Sequence, residues 1–428
     1  MEDEADPRRR RLLRRPSRTS LSPMCTFPPS SRPCEEHRTP RPRIWTSDGR
    51  ADRGLLRRTG SMTRLWLGIT VAAALATMGC GEGGANADDL PPTIAGAAPG
   101  SFLEAMRLAV HEETAGGSLE GLDTVFVSEA SNRSGPALAV AEELVGIPGI
   151  AAVIGHANSA ASLATSQVYN RAGVVQIAPT SSAPLYSEAG PFSFRMVPPD
   201  AGQGRFLARV VSDSLQAGAR VGVFYVNDDY GRGLRAAFLD ALDPDRYTMT
   251  VELPHTESDL EPVDTRHLLE ALESAEVDAL IWLGRVPELN NLIPGLRSSL
   301  GDLPIFGGDA LSRARLVTDR HPGWARVMYV DFLDMEATPE LRDFSRRFED
   351  QNDFAPGPPE ALSYDAAGLL LAAIREGART GEDIRGYLQS LGRDRPPYQG
   401  VSGPVEFDPN GDVTRDYALT RVGPEESR

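Results

Sequence analysis

The sequence predicts an α/β fold of two lobes with mostly parallel sheets. From about residue 92 onward, short apolar and β-branched runs alternate with amphipathic segments. This order places helices against a mostly parallel sheet. Several of the short runs are apolar throughout, as expected of strands covered on both faces. The strands are also too many for one comfortable sheet, so we expect two lobes with a ligand cleft between them.

The strands and helices can be predicted in chain order from the length and period of each apolar run. Strands are predicted at 124–128, 151–155, 174–178, 221–226, 249–253, 279–283, 304–306 and 327–332. Helices are predicted to begin after Ser101 and to span 135–145, 159–172, 204–216, 233–242, 265–275, 287–300, 339–351, 361–376 and 381–391.

The last stretch of the chain has a different pattern. Short strands at 404–407 and 417–419 flank an Asn410-Gly411 turn, which predicts a terminal hairpin. Asp408, Asn410 and Asp412 leave a calcium loop open as an alternative, although position 12 of that loop is Leu419 instead of glutamate.

The front of the chain is organised as a leader. Residues 1–61 are rich in Arg, Pro and Ser without hydrophobic period, so we interpret them as a disordered or mis-annotated segment, with translation beginning at Met62. Residues 62–79 combine a positive start with a 12-residue apolar core, typical of a signal peptide. Cys80 follows Gly79 as in a bacterial lipobox, which predicts lipidation of Cys80; an ordinary cleaved signal is the alternative. Residues 80–91 read as a flexible tether.

Charge and motifs exclude several classes of function. The 428 residues carry a net charge of -16, and those after residue 61 carry 29 Arg against 52 acids. Such an acidic body is unsuited to nucleic-acid binding, which depends on neutralising phosphates. Three Cys cannot form a disulfide framework or a four-Cys zinc site. The chain has no H-E-x-x-H, G-x-S-x-G or Walker motif, so we expect no enzyme, cofactor or metal.

Small hydroxyl residues follow two consecutive predicted strands. Ser159 follows the strand at 151–155 and opens a helix, while Thr180, Ser181 and Ser182 follow the next strand. Unpaired N–H groups and the positive end of a helix dipole make such a position a binding site for a carboxylate or phosphate. Helix capping is the alternative reading for each Ser.

The order of motifs along the chain resembles the type 1 periplasmic binding proteins, specifically the branched-chain amino acid (Leu/Ile/Val) branch of ABC-transporter receptors. The matching segments are I-G-H-x-x-S and I-A-P-T-S-S-A-P within 153–185, then 194–200, 227–233, 305–309 and 403–412. The resemblance implies two Rossmann-like lobes joined by a three-segment hinge that closes on a ligand. It maps the first lobe to 92–198 plus 332–398 and the second to 199–331 plus 399–428.

The resemblance also implies ligand-binding roles. Ser159 and Ser182 match residues that hold the ligand carboxylate, and the backbone of Thr180 and Ser181 lies alongside. Tyr230 matches an aromatic contact.

Asp309 matches the acid that receives the ligand ammonium, and capping of a helix near Ala310 is its alternative role. Arg285 stands where an aromatic wall is common, so we expect it to face the cleft and to favour acidic or polar ligands; a surface arginine is the alternative.

These implications predict an extracytoplasmic, lipid-anchored, monomeric receptor that delivers an amino acid or similar small polar ligand to an ABC permease. A ligand-sensing or regulatory protein with the same fold but without transport is the second reading.

Overall fold

The computed structural model describes residues 44–45, 90–114, 122–129, 134–256, 265–312 and 322–422. The predicted signal peptide and Cys80 lie outside these residues, as do most of the leader and of the tether.

Two six-stranded sheets organise the described residues. The first has the order β1-β3-β2-β4-β5-β6 and is parallel except for the edge pair β1–β3. Its strands are β1 (Ile44–Trp45), β2 (Thr93–Ala98), β3 (Asp123–Ser128), β4 (Ile150–Gly155), β5 (Val175–Ala178) and β6 (Ser193–Arg195).

The second sheet has the order β14-β11-β10-β9-β7-β8 and is parallel except for the edge pair β11–β14. Its strands are β7 (Arg220–Val226), β8 (Thr248–His255), β9 (Ala279–Leu283), β10 (Ile305–Gly307), β11 (Val327–Asp331) and β14 (Ala418–Arg421). A separate two-stranded sheet pairs β12 (Tyr398–Gly400) with β13 (Gly403–Val405).

The helices pack on both faces of each large sheet. They are α1 (Gly100–Thr114), α2 (Ser134–Leu144), α3 (Ser159–Ala172), α4 (Asp200–Ser214), α5 (Asp229–Ala241), α6 (Thr265–Ser274), α7 (Val286–Leu300), α8 (Pro339–Asn352), α9 (Pro358–Arg375) and α10 (Gly381–Ser390). Within the described residues, no helix combines the length and the apolar composition needed to cross a bilayer.

Each sheet forms one lobe with two apolar cores. In the first lobe, α1, α8, α9 and α10 cover one face and α2 and α3 the other. In the second, α6 and α7 cover one face and α4 and α5 the other. Every residue of β9 is buried, which explains its continuous apolar sequence. The prediction of a two-lobed α/β fold with mostly parallel sheets is confirmed.

The strand order reverses once in each sheet. β3 and β4 lie on opposite sides of β2, and β8 and β9 lie on opposite sides of β7. Ligands of open α/β sheets bind outside the carboxyl ends of strands at such a reversal. The topology therefore predicts that a ligand site is formed by the loops after β2, β4, β7 and β9.

The helix α3 has the bounds that the sequence predicts, and both its ends have a local cause. Its N-cap is Asn158, whose side chain accepts a hydrogen bond from the backbone N–H of Ala161. Its C-cap is Gly173 at φ 67°, a left-handed conformation that favours glycine. Ser159 is thus the first helical residue and does not cap the helix.

The predicted terminal hairpin is wrong. β13 pairs with β12, which precedes it, and β14 pairs with β11 of the second sheet. The sequence identifies two strands near an Asn-Gly turn, but a strand pattern does not name its partner. Asp408 instead accepts hydrogen bonds from the backbone N–H groups of Asn410 and Asp412 and closes a local turn.

Three passages connect the two lobes. Met196 and Val197 belong to the core of the first lobe and Leu207 to the second, and the return passage follows β11. Val413 still packs in the first core, whereas β14 completes the second sheet. This packing favours a third crossing after Val413 over the boundary at 398/399; the other boundaries stay predictions.

Candidate functional site

A cavity of about 250 Å³ lies between the carboxyl edges of the two sheets. Its first-lobe wall includes residues after β2, β4 and β5, and its second-lobe wall includes residues after β7, β9 and β10. The cavity therefore occupies both strand-order reversals. Five of the seven predicted ligand residues line it: Ser159, Thr180, Tyr230, Arg285 and Asp309.

Ser159 joins the first turn of α3 to the loop after β5. Its Oγ accepts a hydrogen bond of 3.1 Å from the backbone N–H of Ala183, and the residue is almost completely buried. Because Ser159 is the first residue of the helix, N–H groups that have no acceptor within the helix lie beside it. This end of the cavity suits a carboxylate.

The three hydroxyl residues after β5 divide in role. Thr180 lines the cavity and donates a hydrogen bond of 2.8 Å to the carbonyl of Ala157. Ser181 and Ser182 are buried and do not line the cavity. The Ser181 hydroxyl bonds to Oγ of Ser162 at 2.7 Å, inside the first lobe. The predicted contact between the Ser182 hydroxyl and a ligand stays a prediction.

Asp309 lines the same cavity from the second lobe, whereas Ser159 and Thr180 line it from the first. It begins a three-residue 3₁₀ turn, Asp309–Leu311, which is too short to be the helix that the capping alternative requires. Its Oδ1 accepts a hydrogen bond of 3.1 Å from the hydroxyl of Tyr230. Burial raises the pKa of Asp309, and its hydrogen bonds with Gln203 and Tyr230 offset part of that increase.

Arg285 is the N-cap residue of α7 and lines the cavity. Its side chain is only 19% exposed, so Arg285 is not a surface arginine. Its guanidinium pairs with the carboxylate of Asp228 and lies 3.8 Å from Glu288. Asp228 also caps α5 by accepting a bond from the Gly231 N–H. The charge of Arg285 is therefore balanced within the second lobe. This pairing removes the reason for expecting a preference for acidic ligands.

Two polar residues beside Asp309 were not predicted as site residues. Asp200 is the first residue of α4, and Gln203 lies one turn later. Both are buried, and Oε1 of Gln203 accepts a hydrogen bond from the backbone N–H of Asp309. In the sequence, an acid after Pro198-Pro199 indicates an ordinary helix start. Only the packing of α4 near the turn at Asp309 brings Asp200 there, and neither Asp200 nor Gln203 lines the cavity itself.

The rest of the wall is mostly apolar, and most of it belongs to the first lobe. Pro99, Phe102, Phe332, Pro359 and Leu362 contribute from the first lobe, and Val286 from the second. Among the described residues, no group of three or more His, Cys, Asp or Glu could hold a metal ion. The arrangement provides donors at one end, an acid at the other and an apolar surface between them.

A sequence profile described as periplasmic binding protein matches residues 94–427. Among curated proteins, the chain is 25% identical over 310 residues to Leu/Ile/Val-binding protein homolog 2 of Brucella abortus (strain 2308), covering 72% of this chain and 81% of that protein.

Solved structures share the fold. One is an ABC transporter substrate-binding protein from Desulfitobacterium hafniense in complex with Leu, with a TM-score of 0.64 and 24% identity over 78% of this chain and 97% of that chain. Another is an ABC transporter solute-binding protein from Rhodopseudomonas palustris in complex with 3,4-dihydroxybenzoic acid, with a TM-score of 0.68 and 14% identity over 78% and 94%. The same fold thus accepts a ligand with an amine and one without.

Proposed function

The chain belongs to the periplasmic binding protein family, and we propose that it captures a free amino acid, or a similar small ligand with a carboxylate and an ammonium group, for an ABC transporter. The family implies a periplasmic or otherwise extracytoplasmic location. The related Brucella protein is named for leucine, isoleucine and valine, and the Desulfitobacterium structure holds leucine.

The opposition of Ser159 and Asp309 across one cavity carries this proposal. The first turn of α3 offers N–H groups to a carboxylate, and Asp309 offers a negative charge to an ammonium. Burying a zwitterion is favourable only when both charged ends find partners. A cleft that holds one kind of partner on each lobe would join the lobes through the ligand.

Size and wall chemistry support a small ligand with an uncharged side chain. The cavity of about 250 Å³ lies below the roughly 300–1,000 Å³ typical of sites for drug-sized ligands. Its apolar residues, such as Phe102 and Leu362, would surround the ligand side chain. The only cation among the described lining residues, Arg285, is already paired with Asp228.

The proposal assigns no catalytic step to the cleft, because its polar groups are arranged to hold both ends of a ligand. It also includes lipid anchoring through Cys80, a monomeric receptor and ABC permease subunits as partners, all carried over from the sequence reading.

A thermal-shift screen with L-leucine, L-glutamate and 3,4-dihydroxybenzoate tests the ligand class. We expect L-leucine to raise the melting temperature, since ligand at 100 times Kd adds about 2.7 kcal/mol of stability. The des-amino analogue of leucine, 4-methylpentanoate, is the matched control and should give little shift. Stabilisation by the carboxylic acids alone would contradict the amino-acid proposal. Uptake by the reconstituted permease separates transport from sensing.

A further inference from the structure

Asp200 has an unusual environment for a carboxylate. The residue is completely buried, and neither of its oxygens has a hydrogen-bond partner among the described residues. The Ser182 Oγ and the Gln203 Nε2 are buried without partners as well. Asp200 stands where the chain enters the second lobe, with its backbone N–H donating to the carbonyl of Ser182 over 2.9 Å.

The groups that surround Asp200 come from several elements. Asp309 follows β10, Asp228 and Tyr230 begin α5, Tyr417 precedes β14, and Arg195 ends β6. Four of these five are acids or phenols that interact unfavourably with a second negative charge.

The positive charge of Arg195 is already paired with the carboxylate of Asp412. Its Nε donates to Oδ1 of Asp412 over 2.6 Å, and its other nitrogens donate to Ser187 and to two carbonyls. Asp200 therefore lacks an uncommitted cation among the described residues.

Burial raises the pKa of Asp200 well above its usual value, and the nearby charge of Asp309 raises it further. The nearby Ser182 hydroxyl, although it makes no hydrogen bond of good geometry with Asp200, and the charge of Arg195 offset part of this increase. Burial also raises the pKa of Asp309. Two neighbouring carboxylates do not ionise independently, because the first charge opposes the second.

We propose that Asp200 and Asp309 share one proton in the ligand-free cleft and that an ammonium ligand displaces it. This inference rests on the proposed function, since it requires a ligand that brings a positive charge to Asp309. The bound ammonium supplies the charge that the proton supplied before, so both carboxylates are ionised in the complex. The released proton leaves to the solvent.

The proposed proton release predicts that ligand affinity decreases at low pH. Below the pKa of the ligand-free pair, a proton and the ammonium compete for the same carboxylates, so affinity falls about tenfold for each unit of decreasing pH. Above that pKa, affinity is independent of pH while the ligand amine stays charged.

Titration calorimetry with L-leucine in phosphate and in Tris at equal pH measures the released proton. We expect the binding enthalpy to differ between the buffers in proportion to their ionisation enthalpies, with up to one proton released. Asp200→Asn should still bind leucine through Asp309 but lose this difference. Asp213→Asn, an exposed acid on the same helix, is the matched control and should keep it. Equal enthalpies for the wild type in both buffers at every pH between 5 and 8 would overturn the release step.

Infrared spectroscopy of the ligand-free protein tests the shared proton without any ligand. We expect a protonated-carboxyl band at pH 7 that disappears in Asp200→Asn and in Asp309→Asn and persists in Asp213→Asn. Absence of the band in the wild type would overturn the proposal, as would its persistence in Asp309→Asn, which would mean that Asp200 alone holds the proton.

The two measurements separate this inference from the proposed function. Leucine binding without a buffer difference or an infrared band would contradict the shared proton and leave the amino-acid ligand supported. A band in a protein that leucine does not stabilise would support the shared proton and overturn its release together with the proposed ligand.

Discussion

The Tyr230 hydroxyl donates a hydrogen bond of 3.1 Å to Oδ1 of Asp309, linking the helix after β7 to the turn after β10. Both residues line the cavity; Tyr230 is buried and Asp309 is half-buried. The bond fixes the carboxylate of Asp309 at the second-lobe wall before any ligand arrives. A preorganised acid of this kind reduces the ordering cost of binding.

Replacing Asp309 with Asn should weaken binding of an amino-acid ligand at pH 8 while preserving the fold. Asn is nearly the same size and can still accept the bond from Tyr230, but it offers no charge to the ammonium. Loss of one partner of a buried charge pair costs about 2–5 kcal/mol, or roughly a thirtyfold or larger rise in Kd. Calorimetry measures Kd, and Asp213→Asn is the control. Wild-type affinity with an unchanged melting curve would remove Asp309 from the site.

Replacing Asp228 with Asn should change the ligand preference towards acidic amino acids. Asn still caps α5, so the helix should begin at the same residue. The Arg285 guanidinium, however, loses its close pairing with Asp228 and keeps only the more distant Glu288 at 3.8 Å, so it becomes available to a ligand side chain. We expect the ratio of the leucine Kd to the glutamate Kd to rise at least about tenfold, or 1.4 kcal/mol.

The neighbouring Asp229→Asn is a matched control, because Asp229 pairs with Arg232 in a more exposed position. It should leave the ratio unchanged. An unchanged ratio in Asp228→Asn as well would show that Arg285 does not reach the bound side chain.

Replacing Arg195 with Met should strongly destabilise the protein. Its guanidinium is fully buried and holds Asp412, the Ser187 hydroxyl and two carbonyls. Removing one partner of a buried ion pair costs about 3–5 kcal/mol because the other charge is left unpaired. Urea denaturation measures this loss of stability. Adding Asp412→Asn to the Arg195→Met variant should restore part of the lost stability, because it removes the unpaired charge.

The control is Arg395→Met, which removes a largely exposed pair with Glu376 and should cost at most about 1 kcal/mol. Equal destabilisation by the two Arg variants would contradict the structural role of Arg195.

Cys80→Ser should release the protein from membranes if Cys80 carries a lipid. Fractionation of cells that express the full chain, followed by mass spectrometry of the N-terminal peptide, measures anchoring and the start residue together. A wild-type protein that starts after Gly79 without lipid would support the ordinary cleaved signal, and a peptide from residues 1–50 would contradict translation from Met62.

The sequence predicts local structure well where the cause is local. The bounds of α3 follow from an N-cap and a C-cap glycine that are neighbours in the chain. The partner of β13 could not be predicted in this way, because strand pairing depends on residues far apart. Asp200 was missed for a similar reason. Its burial beside Asp309 arises from the packing of α4 on the second sheet, and the sequence shows only an acid at a helix start.

The chain returns to both lobes near its C-terminus, and this affects when each core can be completed during synthesis. α9 and the segment around Phe407 complete the first core, and β14 completes the second sheet. A ribosome therefore synthesises almost the whole polypeptide before either core can close, and contacts between such distant residues form slowly. Both cores therefore stay incomplete until the C-terminal residues have been added. The topology that forms the cleft thereby makes the completion of both lobes depend on the last part of the chain.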